Sequence, residues 1–121
     1  MDESIFEGMK GINGYLGAAI SNFTGELLVS DASKLGANIK EASLTFNESF
    51  RALHTISKKL NLGNALSIEN EMEKATVIMI CSGEDARMHL HAFAIFKKDG
   101  SVALAKMELK KILDNAVESL S

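Results

Sequence analysis

The 121-residue sequence contains no proline, no tryptophan and a single cysteine, Cys81. One cysteine cannot form a disulfide within the chain, which fits a reducing compartment. Without proline, the turns must be made by glycine, asparagine, aspartate and serine. No apolar stretch reaches the ~18 residues that would cross a bilayer. These absences argue against a disulfide-stabilised protein and against a membrane-spanning one.

The sequence also lacks a block of basic residues, and its formal net charge is −3. Nucleic acid and anionic membranes are therefore not the expected partners. Residues 1–11 open with Asp2 and Glu3, whereas a signal peptide opens with basic residues. Hydrophobic content of 46% and charged content of 24% are those of a globular protein. We predict one cytoplasmic domain over residues 1–121, without membrane insertion.

Two short apolar runs near the start of the chain predict a β-hairpin. The first run is Tyr15 to Ile20 and the second is Leu27 to Val29, with a polar loop between them. Gly25 suits a loop position with positive φ. Gly14 and Gly17 flank and interrupt the first strand, which predicts a bulge or a closely packed backbone.

The remaining patterns predict an α+β fold, a five-stranded antiparallel sheet with helices on both faces. The ALSIENEM run is polar and alternating, as in an edge strand, whereas the two strands after it are apolar on both sides. The predicted elements are helices at Asp2–Ile12, Ser33–Leu62 and Ser101–Leu120, strands at Ala65–Met72, Ala75–Cys81 and Met88–Phe96, and a turn at Lys97–Gly100.

The long helix has an apolar stripe with spacings of three and four residues, which we expect to lie across the sheet. Asp31 or Ser33 can cap its start, and Gly63 is placed to end it. Leu44 lies on the opposite side of the helix, near Arg51, and hints at a partner surface. The stripe consists of Ile39, Ala42, Phe46, Ser49, Leu53, Ile56 and Leu60, widened by Leu35 and Phe50.

Few residues suggest chemistry. Gly25 is not followed by the Lys-Ser/Thr pair of a phosphate loop, so we predict no nucleotide site, no cofactor and no enzymatic activity. His89 and His91 are two apart on a predicted strand, so they share a face and could ligate a metal with Cys81 or Glu84. Two histidines without a clear third ligand do not make a metal motif, so we predict no metal site and expect both to be hydrogen-bonded polar residues. We also expect Cys81 to be a buried inert thiol and His54 to face solvent or an interface.

Two segments resemble the roadblock-type domain family, which includes the roadblock dynein light chains and their bacterial and archaeal relatives. Residues Gly8 to Asp31, GMKGINGYLGAAISNFTGELLVSD, are similar to the entry helix and first hairpin of the family. Residues Leu90 to Leu113, LHAFAIFKKDGSVALAKMELKKIL, are similar to its last strand, turn and closing helix. Gly100 marks that turn, and Lys106 stands where arginine is common in the family.

The resemblance implies a non-enzymatic homodimer or heterodimer that binds or activates a small Ras-like GTPase. In the family, the strand after the long helix pairs with its symmetry mate and the two long helices lie side by side. The alternative function is a small-molecule-sensing or metal/redox-sensing module that uses the helix–sheet gap. The interface residues that the resemblance implies are Phe46, Phe50 and Leu53 on the helix and Leu66 and Ile68 in the strand, with Leu44 and Arg51 as further candidates.

Overall fold

The structure is a computed structural model that describes residues 1–35 and 38–121. A 3₁₀ turn, Glu3–Phe6, leads into one turn of α-helix instead of the continuous Asp2–Ile12 helix that the sequence predicted. The helices are α1 (Glu7–Lys10), α2 (Ile39–Lys59) and α3 (Val102–Leu120), and the strands are β1 (Tyr15–Asn22), β2 (Leu27–Asp31), β3 (Ser67–Glu71), β4 (Ala75–Cys81) and β5 (Leu90–Lys97).

The five strands form one sheet in the order β2-β1-β5-β4-β3, and every neighbouring pair is antiparallel. The helix α2 packs on one face of this sheet, and α1 and α3 pack on the other. The predicted fold class, five antiparallel strands with helices on both faces, is confirmed. Strands β2 and β3 lie at the two edges, so the described part of the chain covers each of them with a strand on one side only.

The β1–β2 hairpin closes through a loop that Asn22 organises. Its side-chain oxygen accepts hydrogen bonds from the backbone N–H groups of Thr24 and Glu26 at 3.1 and 3.0 Å. Gly25 adopts φ +94°, a conformation that favours glycine. At Gly17 the β1–β5 register shifts, and an added Cβ would lie 2.8 Å from the Asp31 carbonyl oxygen. Both features named in the sequence expectation, a bulge and a close backbone, occur there.

The C-terminal turn packs against the entry to β1. The N–H of Gly100 donates to the Lys97 carbonyl at 2.9 Å, and an added Cβ on Gly14 would lie 2.8 Å from the Gly100 Cα. The N–H of Lys97 in turn donates to the Gly14 carbonyl at 2.8 Å. These two glycines therefore let the end of β5 and the start of β1 approach closely.

The strands β3 and β5 begin two residues later than predicted, because backbone groups at their starts form hydrogen bonds with side chains. The N–H of Ala65 donates to His54 Nδ1 at 3.2 Å and so lies outside the β3–β4 ladder. Before β5, the Ser82 hydroxyl donates to the Met88 carbonyl and accepts from the Leu90 N–H, both at 2.8 Å. The ladder therefore begins at Ser67 in β3 and at Leu90 in β5.

The ends of α2 also differ from the prediction. Asn38 caps the start by accepting a long hydrogen bond, 3.4 Å, from the Glu41 N–H. Asp31, one of the predicted caps, instead accepts from the Tyr15 hydroxyl at 2.7 Å, and Ser33 also donates to Asp31. The helix ends at Lys59 and is closed by Asn61, whose φ of +56° and backbone hydrogen bonds match a Schellman motif, two residues before the predicted Gly63. In the described ranges, every helix is too short or too polar to cross a membrane.

Candidate functional site

The buried face of α2 is largely polar, which the sequence did not predict. Ser43, Asn47, Phe50 and His54 follow each other at spacings of three and four residues and are all buried. The first half of the apolar stripe, Ile39, Ala42 and Phe46, packs against the apolar cluster of the sheet as expected. From Ser49 onwards the stripe residues are exposed, so the expectation that the stripe covers the sheet is wrong for that half, where hydrogen bonds to distant segments stabilise polar residues underneath the helix.

Two aromatic residues expected at the interface contact the sheet instead. Phe50 is 1% exposed and stacks on the His91 ring, with 4.8 Å between the centroids. It therefore has no side-chain surface to offer a partner, and its assignment to the interface is wrong. Phe46 is half-buried and packs edge-on against Phe93 at 5.0 Å.

An exposed apolar strip runs from α2 to β3. Leu53 is 36% exposed and Leu60 is 60% exposed, on the flank of α2 that carries the predicted stripe. The chain continues through Leu62 and Leu66, which are 72% and 66% exposed, into the edge strand. Single exposed leucines are common, but a row of them along one segment is typical of an interaction surface. We call Leu53, Ile56, Leu60, Leu62 and Leu66 the apolar strip.

The strand β3 turns half of its backbone groups outward. Cys81 N–H donates to the Leu66 carbonyl, and Met72 N–H donates to the Ala75 carbonyl. In an antiparallel ladder every second residue bonds the same neighbour, so the odd-numbered residues face away from β4. The outward residues are Ser67, Glu69 and Glu71. Ile68 is half-buried against the apolar cluster under α2.

The opposite flank of α2 borders a depression of about 190 Å³. Leu44, 46% exposed, lies on this flank near the hairpin loop, and Arg51 lines the depression. An ion pair between Lys58 and Glu84 joins α2 to the segment before β5 at the rim of the depression. The interior wall of the depression is formed by His54, His89 and His91.

Three histidines and Cys81 converge at this wall. One ligand-type atom from each of these four residues lies within 4.8 Å of the others. The Cys81 Sγ atom is 3.2 Å from His89 Nε2, and the rings of His89 and His91 are 5.0 Å apart between centroids. The predicted candidates Cys81, His89 and His91 are thus brought together, whereas Glu84 pairs with Lys58 at the rim.

His54 joins this cluster, and the expectation that it faces solvent or an interface is wrong. Its side chain is 7% exposed and its ring lies 5.8 Å from that of His91. The only sequence feature that could have indicated this was its spacing of four and seven residues from Phe50 and Asn47. That spacing places the three residues on one helix face.

The environment keeps the three histidines neutral. Burial lowers the pKa of His91 to about 4, and the neighbouring His89 and His54 add to the shift. Burial is also the main cause of the lowered pKa values of His54 and His89. Burial raises the pKa of the Cys81 thiol, although the Gly83 N–H donates to its sulfur. The cluster therefore offers uncharged donor groups at neutral pH.

Asn47 fixes the orientation of His91. Its amide nitrogen donates to the Phe23 carbonyl at 2.9 Å, which leaves its oxygen 2.5 Å from His91 Nδ1. The His91 Nδ1 atom therefore carries the hydrogen and donates it to Asn47. The same face of α2 also contacts the hairpin loop through Ser43, whose hydroxyl donates to the Gly25 carbonyl at 3.4 Å.

Solved structures with the same architecture are numerous. A roadblock/LC7 domain from Streptomyces avermitilis matches with a TM-score of 0.84 and 8% identity, over 98% of this chain and 96% of that one. MglB from Myxococcus xanthus matches with a TM-score of 0.79 and 14% identity, over 97% and 89%. A further MglB structure, described with a tetrameric arrangement, gives 0.80 and 13% over 95% and 84%. The chain has a roadblock-type fold.

This roadblock-type fold confirms the resemblance that the hairpin and the C-terminal segments indicated. At identities of 14% or less, the likeness establishes the shared fold and the order of the elements. No protein-family model and no curated protein matches the sequence.

Proposed function

We propose that this roadblock-type protein self-associates through β3 and α2 and that the assembly regulates or scaffolds a small Ras-like GTPase without catalysing a reaction itself. The observation that carries the proposal is the apolar strip that leads into the outward-facing edge of β3. An open strand edge offers backbone donors and acceptors to a second chain. The adjoining leucines supply apolar area that such pairing would remove from water.

The charges of β3 favour specific pairing over indiscriminate aggregation. Glu69 and Glu71 are exposed on the outward-facing half of the strand, and charged side chains on an edge discourage contacts with arbitrary strands. Glu71 pairs with Lys98 within the chain. A partner must therefore accommodate the remaining carboxylate of Glu69.

The GTPase partner rests on the roadblock resemblance. The description of one MglB structure with a tetrameric arrangement supports assembly as a property of proteins with this fold. The strip and the edge strand use only part of the α2 surface. The flank with Leu44 and Arg51 stays free for a second partner when two copies associate.

The self-association is tested with Glu69→Pro. Proline removes the outward N–H of residue 69 and leaves the β3–β4 hydrogen bonds, because residue 69 does not donate to β4. Light scattering after size exclusion should give a dimer mass for the natural sequence and a monomer mass for Glu69→Pro at tens of micromolar protein. The matched control is Glu69→Thr, which removes the same charge, keeps the N–H and should remain a dimer.

A strict monomer for the natural sequence at these concentrations would contradict the proposal. A Glu69→Pro variant that keeps the dimer mass would instead place the interface elsewhere. Far-ultraviolet circular dichroism of each variant verifies that the fold is retained.

The GTPase partner is tested separately. We expect a small Ras-like GTPase encoded near this gene to bind the chain, and its rate of GTP hydrolysis to change in the mixture. Leu44→Glu should weaken this binding without changing the mass of the dimer. Unchanged hydrolysis together with no co-elution would overturn the GTPase half of the proposal and leave the self-association result intact.

A further inference from the structure

Every histidine and the only cysteine of the sequence lie in one cluster. The chain has three histidines and one cysteine, and all four converge from α2, the end of β4 and the start of β5. Imidazole nitrogen and thiolate sulfur are the donor groups that Zn²⁺ prefers, and structural zinc sites commonly use four of them. The side chains that this ion needs are therefore all in one place.

His91 presents a free lone pair to the cluster. Its Nδ1–H donates to Asn47, so in the neutral ring Nε2 is unprotonated. This Nε2 atom is buried and has no hydrogen-bond partner among the described residues. A metal-ligating histidine usually donates its other ring N–H to an oxygen acceptor, and Asn47 provides that acceptor here. A buried nitrogen acceptor without a hydrogen-bond partner otherwise destabilises the folded protein.

Cys81 and His89 are already close to ligand spacing. Their Sγ and Nε2 atoms are 3.2 Å apart. Around a tetrahedral Zn²⁺, metal–ligand distances of about 2.3 and 2.0 Å imply a sulfur–nitrogen separation of roughly 3.5 Å. The His89 ring is also stacked on Phe23, with centroids 5.2 Å apart and planes 5° from parallel, which holds its orientation.

His54 is the weakest candidate ligand of the four residues. Its Nδ1 atom accepts from the Ala65 N–H, so in the neutral ring the hydrogen is on Nε2. That Nε2 atom is also buried without a partner among the described residues. Binding a cation through Nε2 would require the hydrogen to move to Nδ1, with no net release of a proton, and the bond from Ala65 would then be lost. We therefore rank His54 below Cys81, His89 and His91.

The size of the depression favours an ion over an organic ligand. Its volume of about 190 Å³ is below the roughly 300 Å³ at which small-molecule sites begin. The rim reaches solvent between α2 and the segment before β5, so an ion has an entry path. The Glu84 carboxylate at that rim is paired with Lys58, and Arg51 also lines the depression, so a bound cation would be held by the donor groups of the cluster and not by net negative charge.

We propose that this cluster is a Zn²⁺ site in which Cys81, His89 and His91 are the principal ligands and His54 completes a Cys-His₃ set. On binding, the ion forms a bond to the Cys81 sulfur and the thiol proton leaves to solvent, whereas the neutral histidines His89 and His91 release none. The ion would connect α2 to β4 and β5 and so fix the helix that presents the apolar strip.

The probe for the test is Co²⁺, followed by Zn²⁺, on tag-free full-length protein treated with a chelator and kept reduced with a phosphine. We expect one Co²⁺ per chain, visible bands of tetrahedral Co²⁺ and a thiolate-to-cobalt charge-transfer band. One equivalent of Zn²⁺ should bleach these bands, release about one proton and raise the melting temperature. Because the chain has one cysteine, the charge-transfer band identifies Cys81 without mutation.

Matched variants rank the ligands. His91→Asn keeps a donor for Asn47 and loses Nε2. We expect this variant and Cys81→Ser to weaken Zn²⁺ binding by more than about 100-fold, because loss of a ligand costs more than loss of a residue that only orients one. Asn47→Ala should cost roughly 10- to 100-fold. His54→Asn keeps an acceptor for Ala65 and should cost less than either ligand variant. Glu48→Gln, on the exposed side of α2, is the control and should bind like the natural sequence.

Loss of the charge-transfer band in Cys81→Ser, with one bound ion in the natural protein, would establish the site. A natural protein that shows no tetrahedral cobalt spectrum and no shift in melting temperature would overturn the proposal. Equal Zn²⁺ affinity in His91→Asn and the natural protein would also overturn it. Circular dichroism of the metal-free variants verifies that each is folded, and Cys81→Ala replaces Cys81→Ser if the serine variant does not fold.

Discussion

The two faces of the sheet are built differently. On the α3 face, apolar residues from α1, α3 and four strands make one continuous core, with Leu109, Ile112 and Leu113 nearly inaccessible. On the α2 face the apolar cluster is smaller, and polar residues such as Asn47 and His54 are buried beside it. The α2 helix also leaves its apolar flank exposed.

This difference separates stability from recognition. Apolar burial on the α3 face is non-directional, and a polar group without a hydrogen-bond partner would be destabilising there. Such a core is suited to stabilising the fold. The α2 face instead combines directional hydrogen bonds, a histidine–cysteine cluster and an uncovered apolar strip. We therefore expect this half of the molecule to be the one that responds to pH, ions and partners.

The largest effect should come from breaking the α3 core. Leu109→Ala removes a side chain that is 0% exposed and should lower the free energy of unfolding by about 2–5 kcal/mol. The matched change on the other face, Leu53→Ala at 36% exposure, should cost much less in the monomer. Urea unfolding of both variants in the Glu69→Pro background measures the contrast, and equal losses would contradict it.

Acid should weaken the α2 face selectively. The pKa of His91 is about 4 when folded and 6.5 unfolded, so below pH 6.5 the unfolded chain takes up a proton that the folded protein excludes. Stability contributed by the neutral ring is complete above pH 6.5 and falls by about 3 kcal/mol towards pH 4. Unfolding by urea between pH 7 and pH 4, with chelator present, should show this loss, and His91→Asn should show a much smaller one.

An unchanged pH dependence in His91→Asn would mean that other groups account for the acid sensitivity. His54 and His89 also have pKa values lowered by burial, so a residual dependence of the same sign is expected. The pKa of Asp31 is lowered by hydrogen bonds from Tyr15 and Ser33 against the opposing effect of burial. The stability that Asp31 contributes is therefore lost only at a more acidic pH than the stability that depends on the histidines.

The next largest loss of stability should come from Asn47→Ala. The substitution leaves the His91 Nδ1–H and the Phe23 carbonyl without their partner and should cost about 1–3 kcal/mol. Ser43→Ala, which removes one long hydrogen bond of 3.4 Å on the same helix face, is the control and should cost less. Thermal unfolding of the metal-free proteins distinguishes the two. A larger loss for Ser43→Ala would contradict the assignment of Asn47 as the organising residue.

The smallest effect on the monomer should come from the apolar strip. Leu60 is 60% exposed, so Leu60→Ser should change the unfolding free energy of the monomer by no more than about 0.5 kcal/mol. The same substitution should weaken the proposed dimer, measured by sedimentation at several concentrations. A large loss of monomer stability would show that Leu60 belongs to the core.

The sequence predicted the parts of the fold that follow from local periodicity. The β1–β2 hairpin, the apolar strands β4 and β5 and the closing helix all have patterns that one segment carries by itself. The buried face of α2 could not be predicted in that way. Asn47 and His54 are buried because Phe23, Ala65 and His91 supply hydrogen-bond partners from distant segments.

The candidate cluster could be predicted only in part, because only some of its contacts follow from local sequence. His91 lies in β5 and His89 directly before it, so the proximity of these two residues follows from their spacing in the sequence. Their meeting with Cys81 depends on the β4–β5 register, in which Cys81 lies opposite His91. The position of His54 depends on how α2 lies across the sheet, which apolar periodicity assigned to the wrong flank.

Amide hydrogen exchange at β3 tests the central claim most directly, that the α2 side of the molecule is its interaction side. The N–H groups of Ser67, Glu69 and Glu71 point away from β4 and have no acceptor within residues 1–35 and 38–121, so we expect a second chain to be what protects them. We predict slow exchange at high protein concentration, fast exchange after dilution, and fast exchange of the remaining two at all concentrations in Glu69→Pro. Exchange of these three amides that is fast and independent of concentration, while β4 stays protected, would contradict the account.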